Sequence, residues 1–277
     1  MIRFSAHSVG HLLVGGNAIT DRQRDRLKEL LARKHDPDAR PLTGKMAVEL
    51  NDLIAKRDAE FQFGATALSY IRDVWLRDMF GYEEPVMTNE LLKGLMCEDE
   101  AIGVVTRQVP GPFRIKNDQG YANDWFQGTP DIVLDDAVED VKCSWTLKTF
   151  MDVQHPSSLY YAQGQVYMDL TNRHTFRLCH VLVDTPEEIV QEERKRYYFR
   201  FNCDEENPHY LECCRKVDAM HAASRLIPEE QRLKVFEFAR DEQYLVRLRR
   251  RVEQAREVYD TLTLGGYDGK ESVSTPS

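Results

Sequence analysis

Apolar residues recur every three or four positions through much of the first hundred residues, then give way to short alternating runs and return to helical spacing near the end. That change of period divides the chain. Thr20 or Asp21 caps a predicted helix running through Leu31. Further helices are expected over about Lys45–Glu60 and Thr66–Met79. Thr88 caps a fourth, which places Leu91, Leu95, Ile102 and Val105 on one stripe. Pro110-Gly111-Pro112 breaks the pattern. Strand-like runs follow at Phe113–Lys116, Asp131–Leu134 and Val138–Cys143, with Asp135-Asp136 as a tight hairpin turn. A helix over about Ser157–Leu170 leads to a β-rich run, His174–Val183. Pro186 opens another helix that passes into the polar stretch Glu192–Arg196. A strand at Leu233–Phe238 and a long helix over about Asp241–Leu262 close the pattern. The small polar residues from Gly265 to Ser277 read as a disordered tail.

This order predicts a single α/β domain over 1–264: a helical N-terminal elaboration over 1–87, then a core over 88–264 with a central mixed sheet flanked by helices. Composition fits a globular chain, with 42% hydrophobic and 30% charged residues among 277. No apolar run reaches the ~20 residues of a membrane helix, and the N-terminus lacks a secretory apolar core. A cytoplasmic protein with no membrane partner is expected. The six cysteines form no CxxC pair, which argues against a zinc ribbon and leaves reduced, mostly buried thiols. A net charge of −9 argues against a passive nucleic-acid coat, yet leaves room for a local basic groove on an acidic molecule.

Alternation along a strand turns Asp140 and Lys142 to one face, while Val141 and Cys143 enter the opposite layer. A tight hairpin brings Asp131 beside Asp140. Two adjacent carboxylates need positive charge nearby. Lys142 offsets one of them, and hard carboxylate oxygens suit Mg²⁺, with Mn²⁺ as a substitute. Glu98 falls on the apolar stripe of the fourth helix, where an acid needs a partner or a metal. Gln163 and Tyr167, four residues apart, share a face of the helix that follows. Gln165 lies about 200° from Gln163 and is expected to serve structure. The basic runs Arg194-Lys195-Arg196 and Arg247–Arg251 are read mainly as solvated faces, with Arg249 and Arg250 outward.

The run Pro130-Asp131 … Asp140-Val141-Lys142 resembles the signature of the PD-(D/E)XK nucleases, whose restriction-endonuclease-like core the predicted elements match. Lys93-Gly94-Leu95-Met96-Cys97-Glu98 resembles the Gly-x-x-x-Glu helix of their phage exonuclease branch. Gln163-x-x-x-Tyr167 is similar to the Gln-xxx-Tyr motif of RecB-like nucleases, and Tyr160-Tyr161-Ala162-Gln163-Gly164-Gln165 to a motif of lambda-exonuclease and YqaJ-like viral recombination nucleases. The resemblance covers Thr88–Val183 and extends weakly over Arg232–Leu262. It implies Asp131, Asp140 and the Val141 carbonyl as metal ligands, with Glu98 completing the site. Lys142 would orient water or steady the phosphorus. Gln163, Tyr167, Thr129 and Ser8 would contact substrate, Ser8 through a short likeness of Phe4–Ser8 to a DNA-gripping turn. The implied activity is a metal-dependent exodeoxyribonuclease digesting linear double-stranded DNA from a 5′ end, leaving 3′ single strands for phage-type recombination in the host cytoplasm. The implied partners are double-stranded DNA ends, further copies in a homotrimer, and a single-strand-annealing recombinase. A restriction- or repair-type endonuclease, or a catalytically silent DNA-binding protein, are the alternatives on the same fold.

Overall fold

The computed structural model describes residues 1–16, 19–59, 61–201 and 204–267. In chain order it comprises β1 (Phe4–Ser5), α1 (Asp21–His35), α2 (Gly44–Asp58), α3 (Ala65–Phe80), α4 (Asn89–Gln108), β2 (Tyr121–Ala122), β3 (Phe126–Gly128), β4 (Ile132–Val133), β5 (Ala137–Cys143), α5 (Leu147–Asp152), α6 (Ser158–Thr171), β6 (Thr175–Val181), α7 (Glu187–Phe201), α8 (Pro208–His221), β7 (Leu233–Ala239), α9 (Glu242–Asp260), β8 (Leu262–Thr263) and β9 (Gly266–Tyr267). Local chemistry sets many of the boundaries. Thr20 caps α1 and closes a capping box with Gln23. Thr43, Thr88 and Ser157 each accept the backbone N–H three residues on, starting α2, α4 and α6. Gly81 and Asn172 end α3 and α6 in the left-handed region.

The chain groups into two compact units. One contains Met1–Gly10 and Glu83–Arg249; the other contains His11–Tyr82 and the chain from Arg250 onward. In the second unit, α1 and α2 meet through Leu27, Leu30, Leu50 and Leu53, with Arg26 and Glu49 paired at the rim. There too, Arg251 lies over the ring of Phe61.

The first unit is built on a mixed four-stranded sheet in the order β4-β5-β6-β7. β5 and β6 run parallel, and both edge pairings are antiparallel. A smaller sheet of order β1-β3-β2 completes the unit. On one face of the main sheet, Ile132, Val141, Cys179 and Val181 pack against Cys97, Ala101, Ile102 and Val105 of α4. α6 covers the other face. It comes so close that a Cβ on Gly164 would meet the buried Phe176 ring at 2.6 Å.

Several expectations need correction. Phe113–Lys116 is not a strand. Its alternation is inverted: Phe113 and Ile115 are exposed, and Arg114 is buried between them. The Arg114 guanidinium makes a two-pronged pair with the fully buried Glu139, and its third nitrogen donates to the carbonyls of Val109 and Pro112. Glu139 also takes Arg177, so β5 holds a saturated acid one position before Asp140. Leu91 and Leu95 do not enter the core: they are 45% and 58% exposed, and the buried stripe of α4 runs through Lys93, Cys97, Ala101 and Val104. α7 continues through Glu192–Arg196 to Phe201, and α8 was not anticipated. Arg249 turns inward to Asp169, whereas Arg250 is exposed. β8 and β9 form a hairpin where the tail was expected to begin; the rest of the expected tail and Cys203 lie outside the described residues.

Substituting Gly164→Ala should destabilise the protein by roughly 1–3 kcal/mol through overpacking, despite the ~1 kcal/mol that alanine contributes to helix propensity. Urea unfolding midpoints check this, and an unchanged or raised midpoint would refute the close approach.

Candidate active site

β4 and β5 form a hairpin with Ile132 opposite Glu139 and Val133 opposite Val138. Leu134 N–H donates to the Ala137 carbonyl across the Asp135-Asp136 turn. One position further along the ladder, Asp131 stands across from Asp140. Its Oδ2 accepts the Val141 N–H at 2.7 Å. Lys142 Nζ lies 2.6 Å from Asp140 Oδ2. The strand period therefore does what the sequence suggests for three of the four proposed catalytic residues: Asp131, Asp140 and Lys142 share one spot.

Gln163 reaches the same spot from α6. Its amide nitrogen donates to Asp140 Oδ1 at 3.1 Å and lies 3.1 Å from the Tyr167 hydroxyl. Tyr167 in turn donates to the Thr129 carbonyl. Gln163 and Tyr167 are buried behind Asp140, so here they fix the acid and the chain entering β4. The Thr129 side chain is exposed, and Ser8 sits on the turn after β1, its N–H bonded to the Ser5 carbonyl. Gln165 bridges the Ala239 carbonyl and the Asp241 N–H, the structural role expected of it.

The centre opens into a cleft of about 540 Å³, lined among others by Glu98, Asp131, Val141 and Lys142. Leu91 and Leu95 line it too, which is why they are exposed. Glu98 thus faces the cleft, paired with Lys116 at 2.8 Å. Ser144, Trp145, Tyr160 and His180 line the cleft as well. Sequence reading assigned no binding role to Ser144, Trp145 or Lys116 and saw no metal-site spacing for His180. The signal for Ser144 was present, because alternation places Asp140, Lys142 and Ser144 on one face. His180 needed the β5–β6 register, which sets it opposite Lys142.

The electrostatics follow from crowding. Burial, and then the Asp140 carboxylate beside it, push the Asp131 carboxyl up to about 6. Burial opposes the Lys142 charge, but Asp140 and Asp131 outweigh it and hold the ammonium firmly protonated. Two carboxylates against one ammonium leave the spot short of positive charge. An oxygen-only donor set of Asp131, Asp140 and the Val141 carbonyl suits a hard divalent cation. Among the described residues no three His, Cys, Asp or Glu side chains are grouped closely enough to form a metal cluster by themselves. Glu98 remains on Lys116, at the cleft wall.

The first basic run is paired within the protein. Arg194 pairs with Asp218 and Glu187, Lys195 with Glu192, and Arg196 with Glu193. Of the cysteines, Cys97 and Cys179 are buried, and Cys143, Cys213 and Cys214 are half-buried free thiols. No helix of the described residues is long and apolar enough to cross a membrane.

The mixed sheet and its flanking helices form an α/β fold also found in exonucleases. A phage-related exonuclease from Haemophilus somnus matches at a TM-score of 0.58, with 20% identity, over 90% of this chain and 96% of that one. An alkaline exonuclease from Laribacter hongkongensis matches at 0.51, with 11% identity, over 93% and 88%. No protein-family model matches the sequence. No curated protein matches it either.

The raised Asp131 carboxyl fixes the sign of a pH effect. Its folded-state value lies above the ordinary 3.8, so ionisation opposes folding above about pH 6, and the penalty fades toward pH 4. In metal-free buffer Asp131→Asn, which can still accept from Val141, should be more stable than the wild type by roughly 1–3 kcal/mol at pH 8. The gain should shrink toward pH 5. Unfolding curves at both pH values decide it, and a variant less stable at pH 8 would contradict the crowding of the two acids.

Proposed function

We propose that this protein is a metal-dependent exodeoxyribonuclease that digests linear double-stranded DNA. The observation that carries the reading is the meeting of Asp131, Asp140 and Lys142 on one hairpin at the edge of an open cleft. Further support comes from the fold shared with two proteins described as exonucleases.

In this reading Mg²⁺, or Mn²⁺ in its place, would be held by Asp131, Asp140 and the Val141 carbonyl, and Glu98, on release from Lys116, would complete the site directly or through water. The ion supplies Lewis-acid activation of water and offsets phosphate charge. The protein's own residues do the rest. Lys142, kept as an ammonium by its two acids, orients the attacking water and steadies charge on the phosphorus oxygens. Gln163 and Tyr167 act as positioning residues, because their contacts run to Asp140 and to the Thr129 carbonyl. The exposed Thr129 side chain and Ser8 contact substrate phosphate. Progress from a 5′ end, 3′ single-stranded products, a homotrimer and a single-strand-annealing recombinase complete the reading on the strength of the motif resemblance.

The test uses linear duplex with a 5′-phosphate at one end only, incubated with Mg²⁺. Progressive loss from that end is expected, and a chelator should stop it. Lys142→Ala should lower turnover by about 100-fold or more with end binding retained, and in metal-free buffer its unfolding midpoint should fall, because Asp131 and Asp140 lose the cation between them. Nicking of closed circles would point to an endonuclease. Absence of cleavage with either Mg²⁺ or Mn²⁺ would reject catalysis.

A further inference from the structure

Two buried polar atoms in the cleft lack a partner within the protein. Ser144 and His180 are each 6% exposed, and Ser144 Oγ and His180 Nε2 have no hydrogen-bond partner. Both residues line the cleft with Lys142, and His180 stands opposite it across the β5–β6 ladder. Buried polar atoms are nearly always satisfied, so two orphaned atoms on residues that line one cleft call for a partner the protein itself does not supply.

The surroundings define that group. The imidazole is fixed by edge-to-face contacts with Tyr160 and Phe236. Burial, and then the Lys142 charge, push it down to about 4, so it stands neutral at ordinary pH. A neutral histidine ring nitrogen donates or accepts according to tautomer, and a serine hydroxyl does both. Trp145, held edge-on to His221, and Tyr160 add aromatic walls, while Leu91, Leu95 and Val153 contribute apolar surface. A phosphate would want a free cation here, but the lysines around the subsite are engaged: Lys142 by Asp140, Lys93 by the Trp145 carbonyl, and Lys234 by the carbonyls of Phe150 and Val153. A cleft of about 540 Å³ falls within the roughly 300–1,000 Å³ typical of small-molecule sites. Flat aromatic walls with neutral hydrogen-bonding atoms suit a heteroaromatic ring.

We infer that the cleft beside Lys142 is a nucleobase subsite, in which Ser144 and His180 bond the edge of a base while Trp145 and Tyr160 flank it. The inference rests on the nuclease reading for its position: the nucleotide whose phosphate lies at Asp131, Asp140 and Lys142 places its base there. The subsite accepts bases through two adaptable atoms and stacking, so it favours the presence of a base over its identity.

The test compares ligands that differ only in the base. The full chain, with Mg²⁺, is titrated with thymidine and deoxyadenosine 5′-monophosphates and with 2-deoxyribose 5-phosphate. The nucleotides should bind roughly 10- to 100-fold more tightly. Ser144→Ala combined with His180→Leu should remove most of that advantage while leaving sugar-phosphate binding unchanged. Duplexes whose terminal 5′ nucleotide lacks a base should show a raised KM for the first cleavage in the wild type, a readout that needs no variant. Equal binding with and without the base, in protein that cleaves duplex DNA, overturns the subsite alone. Base-dependent binding in protein that cleaves nothing keeps the subsite and removes the nuclease reading.

Discussion

The core of this molecule is organised around a repulsion. Two carboxylates, Asp131 and Asp140, are held across a two-stranded ladder where neither is fully solvated. Left alone they would drive the strands apart or force a proton onto one of them. The surrounding structure works to contain them: Lys142 from the same strand, the Val141 N–H from the backbone and Gln163 from the covering helix each take a share of the charge. A fold that spends three partners on two acids, and still leaves Asp131 with a raised pKa, has kept negative charge where stability alone would have removed it. Such concentrations mark functional sites more often than structural ones.

The face of β5 that bears the acids also grades chemically along its length. Asp140 is anionic, Lys142 is cationic and Ser144 is neutral, each two residues after the last. Lys142 and Ser144 of this face both line the cleft. A nucleotide has the same polarity, phosphate at one end and base at the other. The correspondence between strand and ligand ties the proposed subsite to the proposed chemistry.

Much of this could be read from the sequence where one rule dominates. Capping residues placed the starts of α1 and α4, and the period of two placed Asp140 with Lys142. The reading went astray where burial and polarity part company. Leu91 and Leu95 fit a core stripe, but they line a cleft, a choice periodicity cannot make. Phe113 and Ile115 look like strand interior, yet Arg114 between them is the buried residue, because Glu139 waits for it in the sheet. His180 has no signal at all in the linear chain. Its place beside Lys142 comes from parallel pairing across 38 positions, and no local pattern encodes such a pairing.

The Arg114–Glu139 pair carries a further consequence. Glu139 and Asp140 are chemically interchangeable acids, and only the pleat of the strand sends one toward an arginine and the other toward the cleft. If β5 slid by one residue, both assignments would fail together: an unmatched guanidinium would remain in the interior, and Lys142 would be driven among the apolar side chains of α4. The misaligned chain would pay twice for one error. The ion pair on the quiet side of the sheet thereby guards the identity of the acid on the working side, a form of molecular proofreading built into the pleat.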